Sequence, residues 1–271
     1  MPSQFLAMVR AELRAVFTRG AGYAVLGMGL VVGLLAVAFL EFLKQRFGAD
    51  DAATTAQAGQ MVKQFTQFTA GDAAGKALWA RNFFILPMFL LLVTGGSLAG
   101  ELSDHTLREL LVRPVPRWSV LLAKFLALLG LSAASLVASL LPSLLGGFVL
   151  FQSAGPVGDV ALGYLASWLS DAGLIAIGLL ASTLVRSAGG VVVSVILFLM
   201  ADLAARGLLS VLGMAGVTGL DQVKGLLPGA ALAAWQGWSG DWAWQPFAGL
   251  GVLIAVGFGG ALLRLQRMDV P

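Results

Sequence analysis

The chain has 271 residues, of which 58% are hydrophobic and 11% charged, with a mean hydropathy of +0.89. A soluble domain carries about a quarter charged residues, so this chain lacks the polar surface that water requires and calls for lipid as its solvent. The absence of cysteine excludes disulfides, thiolate metal ligands and cysteine nucleophiles, and the formal charge of +3 is too small an excess to argue for nucleic acid.

Residues 3–18 come first, with Phe5, Leu6, Val9, Leu13, Val16 and Phe17 on one helical stripe and Gln4, Arg10 and Arg14 elsewhere. That pattern predicts an amphipathic helix lying at a membrane interface. The apolar run from Ala21 to Leu40 exceeds the roughly 7–15 residues of a signal-peptide core, and reads as a retained first span. A bilayer core of about 30 Å takes about 20 apolar residues as a helix, and lipid forces such runs to satisfy their own backbone. The predicted spans are 21–43, 82–99, 119–150, 161–185, 188–211 and 247–265. The fold class is therefore all-α integral membrane, a single transmembrane domain over 1–271 with about six helices.

Pro142 is expected to kink or divide the third span. Gly29 and Gly33 permit close helix contact, a packing role open to dimerisation. The loop 44–81 has a second amphipathic stretch, with Met61, Val62, Phe65 and Phe68 on one side. The segment 212–246 is Gly-rich and holds Trp235, Trp238, Trp242 and Trp244, which suits a headgroup belt. Within it, Leu226–Trp235 is too short to cross and reads as re-entrant or interfacial.

Lys and Arg near span ends set orientation. Arg10, Arg14 and Arg19, then Arg108, Arg113 and Arg117, then Arg186, then Arg264 and Arg267 fall on alternate segments. Six spans place all of them on one side, with both termini cytoplasmic and the loops 44–81 and 212–246 outside.

The segment 100–118 carries the strongest functional pattern. Ser103 or Asp104 can cap a helix, Leu107, Leu110 and Leu111 give it a short apolar side, and Pro114 ends it. Such a helix, held along the membrane between two spans, can receive force from a cytosolic partner. Gly100-Glu101, then Thr106-Leu107-Arg108-Glu109-Leu110-Leu111, then Pro114-Val115-Pro116-Arg117, with Lys124 in the next span, resembles the permease subunit of ABC-2 type transporters (type V exporters). Gly178 to Ser187 is similar to that family's second short cytoplasmic turn, and Val9-Arg10-Ala11-Glu12-Leu13-Arg14 to its amphipathic N-terminal helix. His105 stands where many members carry a small or acidic residue.

The resemblance implies an exporter half that works as a homodimer, or as a heterodimer with a paralogous permease, in a bacterial-type inner membrane. It implies a cytoplasmic coupling helix seated in a separate ATPase subunit. Its coupling residues would be Glu101, Asp104, His105, Thr106, Leu107, Arg108, Glu109, Leu110, Leu111, Arg113, Arg117 and Arg186. ATP and Mg2+ would belong to that partner, with no cofactor in this chain, because Gly71-Asp72-Ala73-Ala74-Gly75-Lys76-Ala77 lacks the spacing and the Ser/Thr of a phosphate loop. Membrane lipid is a further partner, and an accessory periplasmic or extracellular protein fits the same scheme.

Asp171 and Asp202 fall inside apolar runs, where ionisable groups are functional candidates by default. Counted from Arg186, both sit roughly 23 Å up their helices, and Arg206 can pair with Asp202 one turn away. The three are read as an intramembrane polar cluster, structural first and a gate or path second. Trp168 and Tyr164 suggest that Asp171 lies near the outer interface. One histidine supports neither a histidine triad nor a multi-histidine metal site, so no catalytic residue is assigned. Competing readings are an ion- or proton-coupled secondary transporter built on Asp171, Asp202 and Arg206, and a membrane scaffold that moves nothing.

Overall fold

The computed structural model describes every residue except 1, 19, 48–67, 84, 105–115, 216, 241 and 269–271. Among the described residues the elements are α1 (Pro2–Thr18), α2 (Gly20–Phe47), α3 (Ala70–Asn82), α4 (Ile85–Ser103), α5 (Arg117–Phe151), α6 (Val157–Leu184), α7 (Ala188–Met214), α8 (Leu220–Leu226), α9 (Pro228–Leu232), a 3-10 turn at Ala234–Ser239, and α10 (Trp244–Arg267). Six of them, α2, α4, α5, α6, α7 and α10, are long and apolar enough to cross a membrane. The expected all-helical, six-span architecture holds.

Helix α5 is the spine. Its 35 residues extend roughly 52 Å, more than a bilayer core needs. Pro142 lies inside it and does not divide it. Along one face Ser132, Ser135, Ser139, Ser143 and Gly147 are all buried, three or four residues apart. Small side chains at that spacing let neighbouring backbones approach without a cavity, and Ser139 and Ser143 spend their hydroxyls on carbonyls of their own helix.

Helix α2 lies in this groove, parallel to α5. Gly29 faces the Ser135 backbone, Gly33 faces Ser139 and Pro142, and Val37 meets Gly146. A Cβ on Gly29 would come 2.6 Å from the Ser135 carbonyl oxygen. The glycine pair is therefore consumed within the chain, so the dimerisation alternative does not apply to it. Gly33→Leu should cost about 1–3 kcal/mol by overpacking, read as a lower melting temperature of the purified chain. An unshifted melting curve would mean that the two helices do not touch there.

Residues 44–81 are not one outer loop. Helix α2 continues to Phe47, and α3 begins at Ala70 inside the bundle. Phe68 packs against Phe151, while Met61, Val62 and Phe65 lie outside the described residues. Thr69 starts α3 with a capping box: Asp72 N donates to Thr69 Oγ1 at 3.1 Å and Thr69 N to Asp72 Oδ2 at 2.9 Å. Ala70 N and Gly71 N donate to the carbonyls of Ser153 and Ala154, which satisfies two orphan donors of the first turn. Hydropathy missed α3 because it buries itself with Ala and Gly: Ala70, Gly71, Ala73, Ala74, Gly75 and Ala77 are all buried.

α3 starts beside the α5–α6 connection, and α4 ends with Glu101 beside Lys124 near the other end of α5. Together α3 and α4 cross the bundle as one interrupted helix, broken after Asn82.

Helix α6 is central: 72% of its most apolar window is buried, against 22% for α7. Helix α10 runs parallel to α6, with Gly257 against Ala176 and Gly260 against Leu180. The segment α8–α9–3-10 folds inward. Leu232 reaches Gly173 on α6, and Trp235 is buried in a cluster with Val160, Tyr164 and Ala166. Trp235 thus belongs to the core and not to a headgroup belt. Trp242 and Trp244 are exposed. On α1, Val16 is fully buried, Met8, Leu13 and Phe17 pack on the core, and Arg10 and Arg14 are exposed.

Candidate functional site

Two polar assemblies stand out in this apolar bundle, one near an end and one at mid-depth. The first joins three helices. Lys124 on α5, with a side chain 0% exposed, donates from Nζ to Glu12 Oε1 of α1 at 2.9 Å and to Glu101 Oε1 of α4 at 2.8 Å. An ammonium out of water is stabilised when opposite charges and hydrogen bonds satisfy it together. The node therefore requires α1, α4 and α5 to be in register, and α4 leads directly into residues 105–115.

Of the other predicted coupling residues, Asp104, Arg117 and Arg186 are described. Asp104 is exposed at the close of α4, with its N–H on the Gly100 carbonyl. Arg117 turns away from solvent: its Nη1 reaches the carbonyl oxygens of Leu265, Gln266 and Met268 at 2.6, 3.0 and 3.0 Å. It thereby closes the C-terminus of α10, where a cation is favoured by the unpaired carbonyls. Arg186 is exposed between α6 and α7, next to Ser187, whose hydroxyl caps α7 through Gly190 N. His105, Thr106, Leu107, Arg108, Glu109, Leu110, Leu111 and Arg113 lie outside the described residues.

The second assembly surrounds Asp171, roughly 20 Å from the α6 C-terminus. Arg81, 0% exposed, donates from Nη2 to Asp171 Oδ2 at 2.7 Å. Ser132 of α5 donates to the same oxygen. The other Arg81 amino group reaches Asn82 Oδ1 at 2.7 Å and Ser167 Oγ at 3.2 Å, and Asn82 Nδ2 donates to Ser167 Oγ at 2.9 Å. Five side chains thus tie the end of α3 to α6 and, through Asp171, to α5, immediately before the helix break. Asp171 is 4% exposed, and its charge is balanced by a buried guanidinium.

Asp171, Asp202 and Arg206 do not form one ion-pair network. Asp202 Oδ2 accepts from Arg206 Nε at 2.7 Å, one turn along α7, whereas Asp171 is held by Arg81. Arg206 is 31% exposed in its side chain and Asp202 only 3%. Gly229, at the start of α9, packs directly on this pair; a Cβ there would collide with both side chains. The inward segment therefore closes over Asp202, whose Oδ1 is buried without a hydrogen bond among the described residues.

Sequence reasoning missed Arg81, placing it in an outer loop. The signal was present as Thr69-x-x-Asp72, a helix start, which puts Arg81 about three turns into a helix of small residues.

A cavity of about 220 Å³ lies against Asp171. Asn82, Ser167 and Asp171 form its polar edge, and Met88, Leu91, Leu174, Leu199, Leu232 and Trp235 are among its apolar walls. It sits where α3 breaks from α4, bounded by α6, α7 and the inward segment. No group of three or more His, Asp or Glu residues suited to a metal ion occurs among the described residues.

No curated protein matches the chain. The profile of the family described as ABC-2 family transporter protein matches residues 21–204, from the start of α2 to the Asp202 turn of α7. With that match over more than half of its length and six candidate spans among the described residues, the chain belongs to the ABC-2 family of transporter proteins, as its membrane-spanning permease component.

Proposed function

We propose that the chain is the translocation subunit of an ATP-driven exporter, moved by a separate ATPase that docks at the Lys124 end of the bundle. The Glu12–Lys124–Glu101 node carries this reading. It ties the helix that leads into residues 105–115 to both α1 and the spine helix, so a push on that segment would reach α5 and α1 together. ATP binding in the partner would shift the node between two arrangements and alter access within a dimer of permeases. The chain supplies differential contacts in the two states and no chemistry of its own. In this scheme the Lys124 end and both termini are cytoplasmic, in a bacterial-type inner membrane.

The experiment is to co-purify the chain with its ATPase and reconstitute the pair in lipid vesicles. Glu101→Gln keeps an oxygen acceptor for Lys124 while removing the charge. The ATPase should remain bound, and its hydrolysis rate in the complex should change by tenfold or more. If the wild-type chain recovers no ATPase, or if Glu101→Gln leaves hydrolysis in the complex unaltered, the proposal fails. An ion-coupled secondary transporter would need a titratable group free to load. Asp171 and Asp202 are each already paired with an arginine, which favours the ATP-driven reading.

A further inference from the structure

We propose that the cavity beside Asp171 binds an uncharged amphiphile, one hydroxyl or amide N–H on an apolar body the size of a single ring or short acyl chain. Calling that ligand the cargo rests on the exporter reading; the binding itself does not.

Size comes first. At about 220 Å³ the space exceeds an engineered apolar cavity of about 150 Å³ that accepts benzene. It would hold roughly seven waters at about 30 Å³ each, yet every buried water needs two to four polar partners. Few are on offer. Ser170 Oγ is spent on the Ala166 carbonyl, and Asn82 and Ser167 hydrogen-bond each other. The walls favour an apolar body.

Polarity is set by Asp171. Its hydrogen bonds from Arg81 and Ser132 both fall on Oδ2. Oδ1 has none among the described residues and retains its acceptor capacity in the side chain that edges the cavity. An apolar ligand without a donor would leave that oxygen unanswered, at the cost of an unmade buried hydrogen bond.

Charge decides the rest. Arg81 and Asp171 already cancel. A cationic ligand would place two positive charges against one negative charge, and an anion would face Asp171 itself. Either leaves an unpaired charge in a site poor in water. A neutral donor meets Oδ1 without that penalty.

The test uses the full chain in phosphatidylcholine nanodiscs, without ATPase or nucleotide. The probe is 3-azioctanol, a diazirine-bearing alcohol, with adducts mapped by mass spectrometry. Matched diazirine probes based on octane and on octylammonium are the comparison arms. The alcohol should label cavity walls such as Leu91, Leu232 and Trp235, and excess octanol should compete. Leu174→Trp, which fills the space, should cut labelling tenfold or more. Leu199→Trp, from the half-buried α7 side, provides the same block if the first variant does not fold. The octane and octylammonium probes should label these residues at least fivefold less. Equal labelling by octane, stronger labelling by octylammonium, or labelling indifferent to both tryptophan variants would overturn the proposal. Such a result alongside a functional ATPase complex would remove the ligand site and leave the exporter reading standing.

Discussion

Lys124→Met should be among the most damaging single substitutions in this chain. Methionine fills a similar volume but leaves Glu12 and Glu101 without the cation they share, at side-chain exposures of 12% and 16%. Breaking a buried ion pair by removing one partner costs about 3–5 kcal/mol, because the remaining charge is stranded. Here two carboxylates are affected. The readout is a reduced melting temperature of the purified chain, together with detachment of α1, followed by protease cleavage near its exposed Arg10 and Arg14. Adding Glu12→Gln and Glu101→Gln to Lys124→Met should recover most of the melting temperature, since the stranded charges are gone. If the triple variant is no better than the single, packing at Lys124 and not charge is what matters. If the single variant melts like the wild type, the node does not hold the three helices together.

Arg81→Leu should have an effect of the same order and a different signature. Arg81 is fully buried, and its loss removes the cation from Asp171 and a partner from both Asn82 and Ser167. A loss of about 3–5 kcal/mol is expected again. The double variant Arg81→Leu with Asp171→Leu should return to within about 1–2 kcal/mol of wild type, because replacing both members of a buried pair with apolar residues is often neutral. Melting curves of the two single variants and the double variant form a complete cycle, and the coupling energy is the measured quantity. A coupling near zero would show that Arg81 and Asp171 do not sense each other. Asp202→Leu should cost less in the same assay, since Arg206 is 31% exposed and can reach a more polar region.

These assemblies differ in how much of them could be read from the chain alone. Asp171 and Asp202 declared themselves, because an acidic residue inside an apolar run is visible without coordinates. Their partners were not equally visible. Arg206 lies four residues from Asp202, and helix periodicity alone brings the two together. Arg81 lies ninety positions from Asp171, and no local rule joins them. The same holds for Lys124. Its place in the spine helix was legible, but its two glutamates come from helices distant in sequence.

What the sequence determined by itself was the solvent, the helical class, the number of long apolar crossings and the family resemblance. The first three follow from local composition and period, since lipid obliges every apolar run of sufficient length to close its own hydrogen bonds, and the resemblance rests on the motifs of residues 100–124. What only the tertiary structure decided was the fate of the short and small-residue segments. Helix α3 is too poor in hydropathy to announce a crossing, yet packs into the bundle because Ala and Gly let it approach Gly147 and Pro156 closely. The Gly29/Gly33 face was open to a second copy until α5 occupied it, and Trp235 was free to sit among headgroups until α6 buried it. Close packing and long-range charge pairing are properties of surfaces brought together, so no window along the chain contains them.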